Sequence, residues 1–510
     1  MTFPKGPHNR EGWHFVITLA IRVISLKNLC KPSFEKKDHG QGAGIPVLKT
    51  IWDLFDLSLL FSQSGIRKHS GTPAWLLAFA YLCGLINQVD STSQNAKFSA
   101  EAPFLRQILS GEIITQSAFS RFLSKPFQWL RFSLGRLARL QENSDSRLTD
   151  GDIIALDDTK IEHPHGKKIP FLCWLFDSSD KRHVWCINLV STLAVLKNGL
   201  EYPMLWRFWV KASQENEKQT KLDLAKQMLL EVRQVNNARL WVAMDRWFLC
   251  KKFLKWLMDE KFDWVTKAKR NTVLFRKIYD PVLGKDHYVK LNPKQLLREV
   301  YPRIRVLGKG SVLSIPDIYI KIPYETFTRK GKPITRQRFL PIAAIAGTYE
   351  KQAAEGSVIL PEEEYPATFK DAYLLISNRV DAPVEAATAY ARRWRIEVFY
   401  RMAKQNLGLT SCYAQSEAAH FAHVELLFTA KTLLCYAAWE CNKEGAEQAP
   451  SLCEVVRYFF NAGCRIHCSE QLIQVYFDTA TERFSSLIDK FWPESLELRL
   501  WSWEYYPATA

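Results

Sequence analysis

The feature that most restricts the fold of this chain is the order of strand and helix patterns between residues 150 and 270. Runs of β-branched and aromatic residues alternate there with segments whose apolar residues recur every three or four positions. In chain order the patterns are the strands GDIIALDD, HVWCINLVSTLAVL and YPMLWRFWVK, the helix KQTKLDLAKQMLLEVRQV, the strand ARLWVAMD, the helix WFLCKKFLKWLMDE and the strand FDWVTKAK. This order predicts a mixed α/β sheet.

The segments on either side of this sheet have different patterns. Helical spacing in IPVLKTIWDLFDLSLLF and PFQWLRFSLGRLARL predicts a helical region before it. Short alternating runs with many Gly and Pro follow it and predict an all-β insertion, after which DAYLLISNR resumes as a strand and leads into a long helix. We therefore expect a helical N-terminal domain (1–147), a first core part (148–270), a β-rich insertion (271–370), a second core part (371–410) and a helical C-terminal region (411–510).

The charge balance points to a polyanionic partner. The chain has 69 Lys and Arg against 53 Asp and Glu, a formal net charge of +16. A basic excess inside folded segments favours nucleic acid, with a membrane surface as the weaker alternative. The longest apolar run, residues 75–86, is shorter than the ~20 residues of a membrane span and predicts a buried core helix. The 11 cysteines lack paired spacing and the N-terminal stretch has no small-residue cleavage site, so we expect a reduced, cytoplasmic protein without a membrane partner.

One acid lies among cations in the late helical run YARRWRIEVFYRMAKQNLGL, residues 390–409. Glu397 is accompanied by Arg392, Arg393, Arg395, Arg401 and Lys404. At about 100° per residue, one helix face carries Tyr390, Arg393, Glu397 and Lys404. Because the cations repel one another, we expect an anion such as a phosphate backbone to join them, which leaves Glu397 free for a metal ion. A solvated basic helix with one incidental acid is the alternative.

Two further acids follow predicted strands. Asp158 ends the strand IIALDD, and Asp245 ends LWVAMD. Carboxylates at neighbouring strand ends share one edge of the sheet, where their oxygens can hold Mg²⁺ together with phosphate oxygens. Each acid could instead cap a turn or a following helix. Asp157 remains a rival of Asp158, because adjacent strand residues point to opposite faces.

The spacing of Tyr390, Arg393, Glu397 and Lys404 resembles the Tyr-Arg-Glu-Lys signature of the insertion-sequence 4 family of bacterial DDE transposases. ALDDT and VAMDR resemble the two aspartate segments of that family, and a β-rich insertion between the second aspartate and the glutamate is also similar. The resemblance covers roughly residues 150–410. It implies a ribonuclease-H-like catalytic core with an all-β insertion, flanked by helical N-terminal and C-terminal domains.

The resemblance also implies the activity. Asp158, Asp245 and Glu397 would bind two Mg²⁺ ions, for which Mn²⁺ can substitute, and cleave the ends of a mobile element before joining them to target DNA. Asp158 is preferred to Asp157 because it immediately precedes the threonine of the family pattern. The residues expected to contact DNA are Tyr390, Arg393, Lys404, Arg401 and Arg246.

The expected partner is double-stranded DNA, both the terminal inverted repeats of the element and the target. We expect a homodimer on DNA, in the bacterial cytoplasm and associated with the nucleoid. Two alternatives are a catalytically idle DNA-binding protein, such as a domesticated repressor, and a metal-dependent nuclease without strand transfer.

Two other segments are candidates for DNA contact. GEIITQSAFSRFLSK predicts a helix that begins near Thr115 or Gln116 and carries Ser120, Arg121 and Lys125 outside, as either the second helix of a helix-turn-helix or an ordinary surface helix. The insertion has no tryptophan between Trp264 and Trp394, whereas family relatives stack an insertion tryptophan on a flipped base during hairpin formation. Tyr324 or Phe327 could take that role here.

A zinc site is a weaker hypothesis. Its ligands would be Cys464, His467 and Cys468 together with His420 and His423. Buried thiols and surface imidazoles are the more ordinary explanation of these residues.

Overall fold

The computed structural model describes residues 15–17, 36–177, 180–211, 219–282, 284–328, 332–349, 369–443, 450–468, 473–477 and 484–492. Within these residues, no helix has both the length and the apolar character that crossing a membrane requires.

The N-terminal region is mainly helical, as predicted. It contains the strands β1 (Phe15–Ile17) and β2 (Lys36–Gln41) and the helices α1 (Ile45–Leu54), α2 (Leu57–Gln63), α3 (Ala74–Ile86), α4 (Thr92–Glu101), α5 (Pro103–Ile108), α6 (Gln116–Leu123) and α7 (Trp129–Glu142). Helix α3 is buried along nearly its whole length. The prediction of a buried core helix at residues 75–86 is therefore confirmed.

The centre of the molecule is a mixed sheet with two crossover helices. Its first elements are β3 (Ile153–Glu162), β4 (Leu172–Asp177), β5 (Arg182–Val195), β6 (Glu201–Trp209), α8 (Lys221–Val235), β7 (Trp241–Met244), α9 (Lys251–Asp259) and β8 (Asp263–Lys267). Strands β3, β5 and β6 pair antiparallel, whereas β7 lies parallel to β3 and β8 lies parallel to β7. Helices α8 and α9 supply the crossovers that parallel strands need. Three antiparallel strands followed by two parallel ones form a ribonuclease-H-like core, which confirms the predicted fold class.

The insertion contributes to two sheets. Its elements are β9 (Leu274–Asp280), β10 (Lys285–Leu291), α10 (Pro293–Leu307), β11 (Val312–Ile315), β12 (Ile318–Phe327), β13 (Pro333–Pro341) and β14 (Ala343–Thr348), and the core resumes with β15 (Ala372–Ser377). Strands β10, β9, β12 and β13 form a separate antiparallel sheet in that order. Strands β14 and β11 instead extend the main sheet beyond β15, so that the full order is β11-β14-β15-β8-β7-β3-β5-β4, with β6 also paired to β5.

Helix α10 corrects the expectation that the insertion is all-β. Asn292 caps the helix and forms a reciprocal capping box with Gln295, while Pro293 occupies the first turn, where no backbone donor is needed. Leu297, Val300 and Ile304 recur at helical spacing and are buried. The run RIRVLG, which alternates like a strand, is therefore the last turn and end of this helix.

The predicted long helix after β15 consists of two helices that meet at Arg393. They are followed by further C-terminal elements: α11 (Pro383–Arg392), α12 (Trp394–Asn406), α13 (Glu417–Lys443), α14 (Leu452–Val455), β16 (Gly463–Cys468), β17 (Ile473–Phe477) and α15 (Ser485–Phe491). The C-terminal region is largely helical, as predicted. Strands β16 and β17 pair with β2 and β1 in the order β1-β17-β16-β2, so both chain ends share one small sheet.

Helix α13 packs against α1, α3 and α7 on one side and against β6 on another. A buried ion pair reinforces this packing, because Arg136 of α7 donates from Nε to Glu425 of α13 at 2.8 Å. The same guanidinium donates to the carbonyl oxygens of Pro203 and Met204 in β6. The N-terminal helices and the mixed sheet are thereby packed around one helix.

Candidate active site

The two adjacent acids of β3 point to opposite faces of the sheet. Asp157 lies on the face covered by α12, where its Oδ2 accepts a hydrogen bond from Nη1 of Arg393 at 3.0 Å. The hydroxyl of Tyr400 donates to the backbone carbonyl of Asp157 at 3.0 Å and lies 2.8 Å from the hydroxyl of Ser191, the residue opposite Asp157 on β5. Helix α12 is thus tied to β3 at Asp157.

Asp158 lies on the other face, toward α8. Its Oδ2 accepts hydrogen bonds from Nζ of Lys221 at 2.7 Å and from Nδ2 of Asn188 at 2.8 Å. The Lys221 ammonium also lies 5.4 Å and 5.2 Å from the ring centroids of Trp209 and Trp247. Asp158 therefore has its own cation away from Glu397. These contacts favour Asp157 over Asp158 as the acid that meets α12, the helix that carries Glu397. The strand pattern had left both residues possible.

Arg393 joins Asp157 to Glu397. Its Nη2 donates to Oε1 of Glu397 at 2.5 Å, while Nη1 holds Asp157. The arginine is 9% exposed. Although burial opposes its charge, Asp157, Tyr390 and Glu397 together raise the pKa of Arg393 above its usual value. The guanidinium is therefore a permanently charged bridge between an acid of the sheet and an acid of the helix.

Asp245 completes the group of acids. It follows β7 and caps the short turn 246–248, since its Oδ2 accepts a hydrogen bond from the backbone N–H of Trp247 at 3.1 Å. The capping role considered for this acid is thus present. Its charge is also close enough to Asp157 to raise the pKa of that carboxyl.

The pKa of Asp157 indicates a shortage of positive charge. Burial raises it most, Arg393 opposes the rise, and Asp158 and Asp245 add to it, so that the pKa reaches about 7. A carboxyl that holds its proton near neutrality despite an arginine contact would ionise readily beside a further cation. Burial and the neighbouring acids thus both oppose the ionisation of Asp157 in the absence of a further cation.

The three carboxylates supply hard oxygen donors of the kind that Mg²⁺ prefers. In the part of the chain that the structure describes, however, no group of three or more His, Cys, Asp or Glu side chains is arranged to hold a metal ion as it stands. The Arg393 guanidinium lies between Asp157 and Glu397 and bonds both carboxylates. The donors fit a metal ion chemically, and one can lie between these two carboxylates only when the guanidinium has moved.

The residues predicted to contact DNA have different surroundings. The ring of Tyr390 lies 5.5 Å from the Arg393 guanidinium, while Arg401 and Arg246 are exposed. Lys404 is partly buried, which lowers its pKa, and the acids that oppose this shift are Glu162 at the end of β3 and Asp177 at the end of β4. The structure therefore brings Tyr390, Arg393 and Glu397 together and leaves Lys404 two turns further along α12.

Sequence reasoning missed Tyr400 and Lys221. Tyr400 follows Glu397 by three residues, so helical spacing could have identified it as a neighbour on the same side of α12. No local pattern links Lys221 to Asp158, because the contact depends on where α8 crosses the sheet.

Helix α6 carries one set of the other residues predicted to contact DNA. Helix α6 begins as predicted, because the hydroxyl of Thr115 accepts a hydrogen bond from the Ala118 N–H at 3.2 Å. Arg121 and Lys125 are exposed, whereas Ser120 is only partly so.

In the insertion, the side chain of Phe327 is 72% exposed at the end of β12. Tyr324 is partly buried, and β13 presents exposed Arg336 and Arg338. The hairpin of β12 and β13 thus carries an exposed aromatic ring and exposed cations.

The histidines of the zinc hypothesis have protein partners. Nε2 of His420 lies 2.8 Å from the Ala414 carbonyl oxygen. His423 bonds the Tyr81 hydroxyl through Nδ1 and the Gly408 carbonyl through Nε2. Both imidazoles are buried, which lowers their pKa values. They are structural histidines. Cys464, His467 and Cys468 belong to β16, and the structure does not describe the side chains of that strand.

Comparison with known proteins shows a family and a distant structural likeness. Residues 149–433, more than half of the chain, match the family described as the transposase DDE domain. No curated protein sequence matches. The structure is similar, with a TM-score of 0.42 and 10% sequence identity, to a cryo-EM structure of the piggyBac transposase synaptic complex with hairpin DNA, over 93% of this chain and 88% of that one.

Proposed function

Because this chain belongs to the transposase DDE domain family and is thus an enzyme that cleaves and transfers DNA, we propose that Asp157, Asp245 and Glu397 are its metal-binding acids. The Arg393 bridge carries this proposal, since it connects the β3 carboxylate to the α12 carboxylate while Asp245 lies close by. The enzyme would cut the ends of its own element and join them to target DNA, as the Tyr-Arg-Glu-Lys spacing of the insertion-sequence 4 family implies.

The proposed cofactor is a pair of Mg²⁺ ions held by the three carboxylates, with Mn²⁺ as a substitute. When bound, such ions would supply a means of activating a water or a 3′-hydroxyl for in-line attack on a phosphodiester and of stabilising the leaving oxygen. The chain's own residues hold the acids in place. Tyr400 and Ser191 fix the backbone at Asp157, and the Trp247 N–H fixes the carboxylate of Asp245.

Basic side chains would hold the DNA strand. Tyr390, Arg393, Arg401, Arg246 and Lys404 are proposed phosphate contacts around the acids. The exposed positions of Arg401 and Arg246 support this role, and arginine can bind phosphate with two parallel hydrogen bonds.

More distant surfaces would bind the rest of the element end. Helix α6, through Arg121 and Lys125, is the proposed reader of the terminal repeat. The hairpin of β12 and β13, through Phe327, Arg336 and Arg338, is a proposed contact of the insertion with DNA. Two copies would pair two element ends.

The adjacent acids of β3 provide the sharpest experiment. Asp157→Asn removes a charged metal ligand without changing side-chain volume, so Mg²⁺-dependent nicking of terminal-repeat DNA should fall more than about 100-fold, an effect typical of losing one group that stabilises the transition state. Asp158→Asn is the matched control, because it makes the same chemical change on the opposite face. Its nicking rate should remain within about 10-fold of wild type, as expected for a supporting contact.

The outcome separates the alternatives. If Asp158→Asn abolished nicking and Asp157→Asn did not, the assignment of the first metal ligand would be reversed. A wild-type protein that bound the ends and never nicked them would instead be the idle DNA-binding protein. Nicking of unrelated duplexes as fast as element ends would indicate a general nuclease.

A further inference from the structure

The Arg393 guanidinium occupies the position between two carboxylates that a bound cation would otherwise fill. It donates to Asp157 at 3.0 Å and to Glu397 at 2.5 Å, both within the range of charge-assisted hydrogen bonds. The side chains are 11%, 17% and 32% exposed for Arg393, Asp157 and Glu397, so solvent screens these bonds only in part. Among the described residues, Nε of Arg393 finds no hydrogen-bond partner.

We propose that Arg393 stands in for a cation in the DNA-free enzyme and excludes metal from the space between Asp157 and Glu397 until a DNA phosphate draws the guanidinium away. Arg393 is then a positioning residue that makes metal loading depend on DNA. This inference rests on the proposed function, because it assumes that these two acids are metal ligands.

Arg393 can exchange its two carboxylate partners for a phosphate. Two partly buried carboxylates repel each other unless a cation lies between them, and in the described chain Arg393 is the cation bonded to both. A metal ion must therefore compete with a guanidinium that already makes two charged hydrogen bonds. A phosphate offers the guanidinium an equivalent pair of acceptors, so the arginine can leave the acids without losing its ionic partners.

The incomplete bonding of Arg393 agrees with an exchangeable state. A buried N–H without a partner is unfavourable, so the bridge is not the best arrangement this guanidinium could have. Arg395, two residues away, offers a contrast. It is bonded to Glu201 rather than to the catalytic acids.

The exchange has a reciprocal consequence. If DNA raises the affinity for metal by removing Arg393 from the acids, then metal must raise the affinity for DNA by the same factor, because binding free energies are linked. Coupling of this kind commonly amounts to about 5- to 150-fold.

The test measures Mn²⁺ binding directly, by the electron paramagnetic resonance signal of free Mn²⁺, so that it does not depend on catalysis. The full-length protein is titrated alone and with a pre-cleaved duplex that ends at the 3′-hydroxyl of the element, on which no hydrolysis can occur. Arg393→Gln should bind Mn²⁺ about 10-fold more tightly than wild type without DNA, within the usual range of such coupling. Arg395→Gln is the matched control and should bind Mn²⁺ as wild type does.

Whether Mn²⁺ affinity rises or falls when Arg393 is replaced distinguishes the proposal from its alternative. If Arg393 only braced the two acids, its loss would weaken Mn²⁺ binding, and equal or weaker binding by Arg393→Gln would overturn the proposal. Arg393→Lys keeps the charge but loses the pair of parallel donors, so its Mn²⁺ affinity should lie between those of wild type and Arg393→Gln. It replaces Arg393→Gln in the test if the glutamine variant does not fold. In wild type, the DNA affinity measured by fluorescence anisotropy must rise with Mn²⁺ by the factor found in the metal titration, and a different factor would also contradict the exchange.

A different result would contradict the proposed function and not only the role of Arg393. Asp157→Asn should lose Mn²⁺ binding both with and without DNA. If wild type with DNA bound no Mn²⁺ at all, the assignment of the metal-binding acids would fail, and the inference about Arg393 would fail with it.

Discussion

At the scale of single residues, function depends on which partner a side chain meets. Asp157 and Asp158 have the same chemistry and adjoin in the chain, yet one meets Arg393 and the other meets Lys221. The two residues therefore have different surroundings on opposite faces of the sheet. His423 is a similar case, because the protein commits both of its ring nitrogens and keeps it neutral.

His423 should make stability depend on pH. Burial lowers its pKa to about 4, whereas an unfolded histidine has a pKa of about 6.5. Between these values the unfolded chain binds a proton that the folded protein does not, so the free energy of unfolding is highest above pH 6.5 and falls as the pH drops toward 4. From pH 7 to pH 5 the loss from this residue should be about 2 kcal/mol.

Urea unfolding at the two pH values checks this expectation. Replacing His423 by Gln should remove that part of the pH dependence. His287→Gln, at an exposed position on β10, should leave it unchanged. An equal pH dependence in wild type and His423→Gln would contradict the assignment.

At the scale of elements, the site depends on how α12 is held against β3. Arg393 keeps right-handed helical backbone angles between α11 and α12, which places its side chain over the sheet next to Asp157. Two turns later, Tyr400 fixes the helix through its hydroxyl. These two contacts set the relative position of the β3 and α12 acids.

Tyr400→Phe should therefore affect catalysis more than stability. Losing one buried hydroxyl that serves two partners should lower the free energy of unfolding by about 1 kcal/mol. Because Glu397 is then less well fixed relative to Asp157, the single-turnover nicking rate should fall about 10-fold or more, as for other supporting contacts of metal ligands. DNA affinity, measured by fluorescence anisotropy, should change little.

Tyr413→Phe provides the comparison, because Tyr413 is largely exposed and its ring packs edge-on against His163. It should nick DNA at the wild-type rate. A Tyr400→Phe enzyme that did the same would mean that its hydroxyl does not position the acids.

At the scale of the whole molecule, the N-terminal helices and the catalytic core share α13. Arg136 and Glu425 are 1% and 0% exposed, and their ion pair connects α7 to α13. Trp206 of β6 donates from Nε1 to the same carboxylate. The pair therefore links the helical region, the long helix and the sheet, and we expect them to unfold together.

Glu425→Leu should destabilise the entire molecule. An unpaired buried Arg136 should cost about 3–5 kcal/mol, and the added change Arg136→Met should recover part of that loss. Urea unfolding followed by both circular dichroism and tryptophan fluorescence should give coincident transitions that shift together.

Arg139→Ala is the control on the same helix, because its pair with Glu142 is partly exposed and should contribute less than about 1 kcal/mol. An early transition confined to part of the helical signal would indicate that residues 1–147 are a separate domain after all.

The amino-acid sequence by itself determined the order and type of most elements of the core. Strand and helix patterns are local, since alternation and three- to four-residue spacing are properties of short segments. The strands that precede Asp158 and Asp245, the helix that carries Glu397 and the buried helix α3 could all be predicted in this way. The capping signal at Asn292 was equally local, and reading it would have identified α10.

Only the tertiary structure decided which residues meet. The face of β3 on which each acid lies depends on α12 packing on one side and α8 on the other, and a strand pattern is unchanged when its two faces are exchanged. The position of β14 and β11 in the main sheet depends in the same way on pairing with β15, far along the chain. The partner of Arg393 could be found only when Asp157, 236 residues earlier, had been brought to it. Such contacts result from the packing of distant segments, which no short stretch of sequence records.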